Sequence, residues 1–173
     1  MLGVGGAVLR GGGAVAGLLA ETSGAARVAE GVAGAKGAVG IAADEIRFSQ
    51  KSVSFNETDR VTKQSYTYDD LVASMKLNGW KGDTVDVVRM PDGELTSMDN
   101  TRISAAREAG IEVQATVRSF DEALTPEIQN ARGWGKSSTW GEAITARINN
   151  QSNGFSITNP YGTLQGPRVK GQP

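Results

Sequence analysis

Residues 85–102 read VDVVRMPDGELTSMDNTR, and they predict a strand, a tight turn, a second strand and the start of a helix. Proline presets φ and glycine accepts positive φ, so the Pro-Asp-Gly turn at 91–93 between two β-rich runs predicts a hairpin. Asp99 or Asn100 can cap the helix that begins near Thr101, where backbone N–H groups lack partners. The hairpin therefore leads into a polar corner that favours anions.

The segments around the hairpin predict an α+β fold, a small mixed sheet with a β-hairpin and flanking helices. Residues 46–55 alternate in the manner of one strand or two short ones, 56–65 are polar and predict a loop, and 68–78 predict an amphipathic helix. A helix over 101–109 and a strand over 111–117 follow the hairpin. The apolar positions expected to face the core on the two helices are Leu71, Val72, Met75, Leu77, Ile103, Ala106 and Ala109.

Residues 1–44 differ in composition from everything after them. They contain 12 Gly and 12 Ala, no aromatic residue and six charges. Glycine costs on the order of 1 kcal/mol per helical position relative to alanine, so a stable helix is disfavoured. We expect a Gly/Ala-rich segment over 1–44, either a linker or a translocation segment in contact with a membrane, and a folded domain over 45–173.

The final third, residues 119–173, is basic and aromatic. Thr125-Pro126 predicts a short helix, and residues 139–142 form a capping-box pattern ahead of a helix that places Trp140, Ile144 and Ile148 on one face. Residues 155–158 predict an edge strand. From Arg132 onward there are five Lys or Arg residues against one Glu, and the aromatic residues among them are Trp134, Trp140, Phe155 and Tyr161. This charge excess suits a phosphate backbone.

The chain contains neither cysteine nor histidine. These absences exclude disulfides, thiolate nucleophiles, Cys-based zinc sites and the commonest neutral-pH base. We therefore expect chemistry based on carboxylates, Lys, Arg, Tyr, Ser or Thr, with no cofactor and no bound metal. The neighbouring acids that a metal-dependent enzyme would use match no metal motif; they are Asp83, Asp86, Asp92 and Asp99.

The first half of the presumed domain carries a spaced series of motifs: YDDLVASM at 68–75, NG at 78–79, VDVV at 85–88, DG at 92–93 and DNTRISAAREAGI at 99–111. This series resembles the ParB/sulfiredoxin-like domain over residues 46–118. The resemblance implies that the polar motif ending in Arg102 holds nucleotide phosphate. Sulfiredoxins carry a cysteine in this motif and ParB proteins paired arginines and a following helix-turn-helix domain, so sulfinic-acid repair is excluded and DNA partition is not supported.

The whole arrangement, a lead rich in small residues followed by a compact domain that ends the chain, looks like the C-terminal region of bacterial polymorphic toxins. The stretch from Met90 to Gly110 resembles variants found in such toxin domains. The resemblance implies a secreted or delivered effector that acts in the cytoplasm of a target bacterium, often as a nuclease. It also implies a cognate immunity protein as a partner.

These patterns favour an antibacterial nuclease. RNA ranks above DNA because the 2′-OH of RNA is its own nucleophile, which arginine, lysine and a carboxylate can activate, whereas a DNase usually needs several acidic metal ligands. The alternatives are a non-enzymatic ParB-like nucleotide-binding or interaction module and a metal-dependent DNase. The candidate site residues are Asp99, Arg102 and Lys51 for catalysis and Asn100, Thr101 and Arg147 for substrate phosphate, although a helix cap with a solvated Arg, and an edge-strand Lys, also explain these residues locally.

Overall fold

The computed structural model describes residues 37–173, so the expectations for residues 1–36 lie outside the described residues. It has an α+β architecture in which a mixed five-stranded sheet is flanked by helices. The strands are β1 (Val39–Ala42), β2 (Ile46–Phe48), β3 (Ser52–Ser54), β4 (Asn56–Thr58), β5 (Ser65–Thr67), β6 (Val85–Arg89), β7 (Leu95–Ser97), β8 (Glu112–Ser119) and β9 (Arg168–Lys170). The helices are α1 (Tyr68–Asn78), α2 (Asn100–Ala109), α3 (Pro126–Arg132), α4 (Trp140–Asn149) and α5 (Phe155–Thr158), with a 3-10 turn at Ala43–Glu45.

The predicted hairpin forms the middle of this sheet, whose strand order is β1-β8-β6-β7-β2. Strands β6 and β7 pair antiparallel with Val87 opposite Ser97, and β6 pairs parallel with β8. The turn closes through two backbone hydrogen bonds of 2.8 Å, from Met90 N–H to the Glu94 carbonyl and from Gly93 N–H to the Met90 carbonyl. Gly93 takes a φ of 88°, which glycine adopts without strain. The hairpin prediction is confirmed.

Successive side chains of β6 point to opposite faces of the sheet, and a hydrophobic cluster covers each face. Val85 and Val87 contribute to the cluster under α1 and α2, and Val88 contributes to the cluster under α4. Fully buried Ile144 and Ile148 pack in the second cluster, and burying each such side chain contributes on the order of 1.5–3 kcal/mol. The expected apolar face of the helix at 140–149 is therefore confirmed.

Four of the seven predicted helical core positions are buried: Val72, Met75, Ile103 and Ala106. Leu71 and Ala109 are partly buried against them, whereas Leu77 is 84% exposed and its assignment to the core was wrong. Leu77 lies about 200° around α1 from Met75, so it faces away from the buried side.

Two segments differ from their predicted secondary structure. Residues 56–65 are not simply a loop, since β4 and β5 form an antiparallel hairpin in which Glu57 lies opposite Tyr66. Residues 155–158 form a single helical turn and not an edge strand. Gly154 enters this turn with a φ of 70°, and the turn buries Phe155 while Ile157 stays exposed.

The folded part includes residues from the Gly/Ala-rich segment. Strand β1 pairs antiparallel with β8, with Ile41 opposite Val113, and Ile41 is almost fully buried. The composition change at residue 45 therefore falls after the first strand of the sheet. No helix within residues 37–173 is long and apolar enough to cross a membrane.

The end of the chain returns to the start of the domain. Strand β9 pairs parallel with β3, and Thr163 and Phe48 exchange backbone hydrogen bonds of 2.7 and 3.0 Å. Gly162 has a φ of 94°, and a Cβ at this position would lie 2.7 Å from the Phe48 carbonyl oxygen, so only glycine fits. This return brings α4 and the residues after it beside the segment that follows β2.

Candidate functional site

The polar corner forms where α2 begins. Asp99 is the N-cap, and its Oδ1 accepts a hydrogen bond of 3.3 Å from the backbone N–H of Arg102. The Arg102 Nε donates to Asp99 Oδ2 at 2.9 Å. The prediction that Asp99 or Asn100 caps this helix is confirmed, with Asp99 in the role.

Arg102 is held on several sides by groups of the protein. Besides its ion pair with Asp99, it donates to the backbone carbonyls of Asp83, at 2.7 Å, and Thr84, at 3.5 Å. Its guanidinium carbon lies 5.1 Å from the ring centroid of Trp80. Asp99 is thus a local anion that offsets the unfavourable placement of a cation in the first turn of a helix.

Asn100 is buried, and its side chain is fully engaged. Its Oδ1 accepts from the backbone N–H of Ser49 at 2.8 Å, and its Nδ2 donates to Ser49 Oγ at 3.0 Å and to Gln50 Oε1 at 2.9 Å. Because a backbone N–H can only donate, the first contact fixes which end of the Asn100 amide is the oxygen. Asn100 thus ties α2 to the segment after β2.

Thr101 leads to two residues that the sequence interpretation missed. The Thr101 Oγ1 donates to Glu57 Oε1 at 3.4 Å, and Glu57 lies opposite Tyr66 in the β4–β5 hairpin. Directly opposed residues of an antiparallel pair have their Cβ atoms about 5 Å apart, so this carboxyl and this phenol are neighbours. The sequence holds no clear signal for this pair, because each strand has three residues and 56–58 are all polar.

The environment shifts the ionisation of both residues. Burial raises the pKa of Glu57, and the Asp99 carboxylate raises it further, while the hydrogen bond from Thr101 and the charge of Arg60 lower it. Burial also raises the pKa of Tyr66, with additional contributions from Glu57 and Asp99. The hairpin therefore presents a carboxyl of raised basicity and a phenol that stays protonated at neutral pH.

Arg147 reaches the same corner from α4. One guanidinium nitrogen donates to the backbone carbonyl of Met98, immediately before the N-cap of α2. Burial lowers the pKa of Arg147, and the neighbouring charge of Arg132 lowers it further, whereas Asp99 acts in the opposite direction. Among residues 37–173, no carboxylate lies within 4.0 Å of this guanidinium. It is a desolvated cation with cationic neighbours and no carboxylate in contact.

Lys51 lies to one side of the corner. Its Nζ donates weakly to the carbonyl and hydroxyl oxygens of Ser152, at 3.4 and 3.3 Å. Its backbone N–H donates to Gln151 Oε1 at 3.2 Å. Lys51 therefore joins β3 to the loop after α4, and its ammonium group points at Ser152.

A cleft of about 430 Å³ opens beside Arg147. Small side chains of α4, Ala143 and Ala146, form part of its wall, and Trp134 forms another part. Trp134 packs edge-on against buried Trp140, with ring centroids 5.8 Å apart. The polar residues that line the cleft are Gln50, Lys136, Ser137, Arg147, Asn150 and Gln151.

Three of the four acidic residues considered for a metal form ion pairs, each with a different arginine. Asp92 pairs with Arg47 at 2.6 Å, Asp86 with Arg118 at 2.9 Å, and Asp99 with Arg102. In the described part of the chain, no group of three or more acidic residues is placed to hold a metal ion.

The fold thus gathers most, but not all, of the predicted residues. Thr101 contacts Glu57 at the start of α2, and the Asp99 carboxylate acts on the ionisation of Glu57, Tyr66 and Arg147. Arg102 donates to the 83–84 loop and also acts on Tyr66, while Lys51 faces Ser152. Glu142 lies in the expected cap region of α4. Its backbone N–H donates to Thr139 Oγ1, and its carboxylate accepts from the backbone N–H of Ser138. Comparisons of the chain with models of known families, with curated proteins and with solved structures found no match.

Proposed function

We propose that this domain is a metal-independent ribonuclease, and that Arg147 holds the phosphate which is cleaved. The observation that carries the proposal is the surroundings of Arg147. Burial and the neighbouring charge of Arg132 lower the pKa of its guanidinium, and no carboxylate of the described chain contacts it. Such a cation is stabilised when an anion enters, and a phosphate accepts charge-assisted hydrogen bonds from a guanidinium fork. The start of α2 adds the favourable end of a helix dipole beside it.

Glu57, Tyr66 and Arg147, which all feel the charge of Asp99, supply the groups that RNA transesterification needs. Glu57 takes the proton from the 2′-OH, whose oxygen then attacks phosphorus, and Arg147 stabilises the charge on the non-bridging oxygens. The bond to the 5′-oxygen breaks, and this leaving oxygen takes a proton from the Tyr66 phenol. The products are a 2′,3′-cyclic phosphate and a 5′-hydroxyl, with no water or metal consumed in this step.

This assignment distributes the roles differently from the sequence-based one. Arg147 keeps the phosphate-binding role, and Glu57 replaces Asp99 as the group that moves a proton. Asp99 becomes a positioning residue, because its charge acts on Glu57, Tyr66 and Arg147 alike. Arg102, Asn100 and Lys51 support the corner through the contacts described above.

The broader biological role rests on resemblance. The likeness to ParB/sulfiredoxin-like domains and to polymorphic toxin termini suggests an antibacterial effector that is delivered into a target cell and neutralised by an immunity protein. A nuclease without metal or histidine is compatible with such a role. The second candidate is a non-enzymatic nucleotide-binding module, which the same arginine and cleft would also suit.

Cleavage of a short oligoribonucleotide by the purified chain, in the presence of EDTA, separates the candidates. We expect cyclic-phosphate products from RNA and none from the matching DNA. The base must be ionised, so the rate should rise with pH through the Glu57 pKa, which burial places above the usual glutamate range. Glu57→Gln should remove this limb and cost about 100-fold or more in rate.

Glu127→Gln, at an exposed position in α3, is the matched control and should leave cleavage unchanged. Binding of RNA without cleavage would favour the binding module instead. Cleavage that EDTA abolishes would overturn the metal-independent mechanism.

A further inference from the structure

Two of the three amide side chains that line the cleft beside Arg147, those of Gln50 and Gln151, are oriented by hydrogen bonds within the protein. The backbone N–H of Ser49 can only donate, so the atom of Asn100 that faces it is Oδ1, and the Asn100 NH₂ group faces Gln50. The Gln50 oxygen is thereby occupied as an acceptor at 2.9 Å. The Gln50 NH₂ group lies on the other side of the amide from this bond and can donate to a ligand in the cleft.

A second chain of bonds fixes Gln151 in the same way. The backbone N–H of Lys51 donates to Gln151 Oε1 at 3.2 Å, so the Gln151 NH₂ lies on the opposite side and donates to the Arg147 carbonyl at 3.2 Å. An NH₂ group carries two donors, and this bond uses one. Together with the cationic groups of Arg147 and Lys136, these amides make the polar lining of the cleft rich in donors.

The apolar lining provides room and a flat aromatic surface. Trp134 is half-buried, is held edge-on by Trp140, and lies near the guanidinium groups of Arg132 and Arg147, at 5.5 and 6.0 Å. The facing alanines of α4 leave the space open, and about 430 Å³ is within the range of small-ligand sites. An aromatic ring next to a phosphate-binding cation suits a nucleobase, since every base has a face that can stack.

We propose that this cleft is a nucleobase-binding subsite that selects uracil and guanine, which carry a keto oxygen at C4 or C6, over cytosine and adenine, which carry an amino group at that position. A uracil O4 or guanine O6 accepts from the fixed NH₂ groups, whereas an exocyclic amine would place donor against donor. This inference rests on the proposed function for its link to the cleaved phosphate. The cleft meets the site through Arg147 and through Gln50, which is bonded to Asn100 at the start of α2.

The test measures binding of the four nucleoside 5′-monophosphates and of inorganic phosphate to the full chain. Tryptophan fluorescence and NMR report the binding. We expect uridine and guanosine monophosphates to bind at least about 10-fold more tightly than cytidine and adenosine monophosphates. Trp134→Leu should weaken all four by roughly 10-fold, because stacking does not depend on base identity. Asn149→Ala, at an exposed position on α4, is the control and should change none of them.

The role of the Gln50 amide is tested by comparing two ligands of equal charge on one variant. Gln50→Glu still accepts from Asn100 but presents an acceptor to the ligand, so the ratio of uridine to cytidine monophosphate affinity should fall or reverse. Both ligands carry the same phosphate, so repulsion from the new charge cancels in this ratio. An unchanged ratio, equal binding of all four nucleotides, binding no tighter than that of inorganic phosphate, or no binding would overturn the subsite.

The outcomes also separate this inference from the proposed function. RNA cleavage with no preference for the neighbouring base would leave the ribonuclease standing and remove the subsite. Keto-selective binding without cleavage would leave the subsite standing and remove the ribonuclease.

Discussion

Arg102 lies in the first turn of α2 and Arg147 contacts the residue before its N-cap, and the surroundings of the two arginines differ. Arg102 has a carboxylate at 2.9 Å, two carbonyl acceptors and an aromatic ring, so its charge is compensated within the fold. Arg147 is desolvated, and it contacts the Met98 carbonyl and the ring of Trp134. A cation near a helix N-terminus therefore indicates a ligand only where the fold itself does not supply the anion.

The largest expected effect is on catalysis by Arg147. Arg147→Ala should lower the single-turnover rate of RNA cleavage by roughly 100- to 1000-fold, or about 3–4 kcal/mol, because it removes the group that stabilises the transition-state charge. Its stability should change by no more than about 1 kcal/mol, since a desolvated charge is lost together with one hydrogen bond. Arg147→Lys keeps the charge without the fork and should recover part of the rate. Full activity in Arg147→Ala would show that Arg147 does not stabilise the cleaved phosphate.

The next effect is on stability, through the buried amide of Asn100. Asn100→Ala leaves the buried Ser49 N–H without its acceptor and should lower the free energy of unfolding by about 2–3 kcal/mol. Denaturant unfolding measures this, with the exposed Asn149→Ala expected to stay within about 0.5 kcal/mol of the parent. A stable Asn100→Ala protein that has lost RNA binding would restore the direct phosphate contact predicted from the sequence.

Arg102→Ala distinguishes a role of this arginine in activity from a role in folding. The sequence pattern predicts that Arg102 matters more for activity than for folding, whereas its contacts predict the reverse. We expect a loss of about 1–2 kcal/mol in the free energy of unfolding, because one charge-assisted pair and two carbonyl contacts disappear. Cleavage measured well below the unfolding temperature should fall only a few-fold. A well-folded Arg102→Ala protein with a rate as low as that of Arg147→Ala would contradict this assignment.

The smallest effect belongs to Lys51. Its ammonium group makes two long contacts with Ser152, so Lys51→Ala should change the free energy of unfolding by less than about 0.5 kcal/mol. Cleavage should change no more than a few-fold, through the loss of a diffuse positive charge that salt screens. A rate loss of 100-fold at low salt would show that Lys51 reaches the substrate, as the sequence interpretation held.

The sequence predicted local structure better than it predicted the site. The hairpin at 85–97, the cap at Asp99 and the apolar face of α4 follow from turn chemistry, capping and periodicity, which are local properties. The pairing of Glu57 with Tyr66 was missed, because a three-residue strand carries too few alternations to be distinguished from a loop. Leu77 was misplaced because its apolar character was given more weight than its position, which is about 200° around the helix from Met75.

Long-range contacts determined the roles of the arginines. The identity of the partner that compensates Arg102 depends on where the 83–84 loop falls in space, and burial of Arg147 depends on how α4 packs under the sheet. Neither is visible in residue spacing. The Gln50 amide is likewise oriented by the side chain of Asn100, 50 residues away, and the Gln151 amide by the backbone N–H of Lys51, 100 residues away.

The central claim is that Arg147, and not Arg102, receives the phosphate. NMR of the arginine Nε–Hε groups tests this most directly, with the two signals assigned through Arg147→Lys and Arg102→Lys. Titration with a non-cleavable 2′-deoxyuridine dinucleotide should shift the Arg147 signal in a saturable manner and leave the Arg102 signal, already bonded to Asp99, in place. A saturable shift of Arg102 with an unmoved Arg147 would contradict the account.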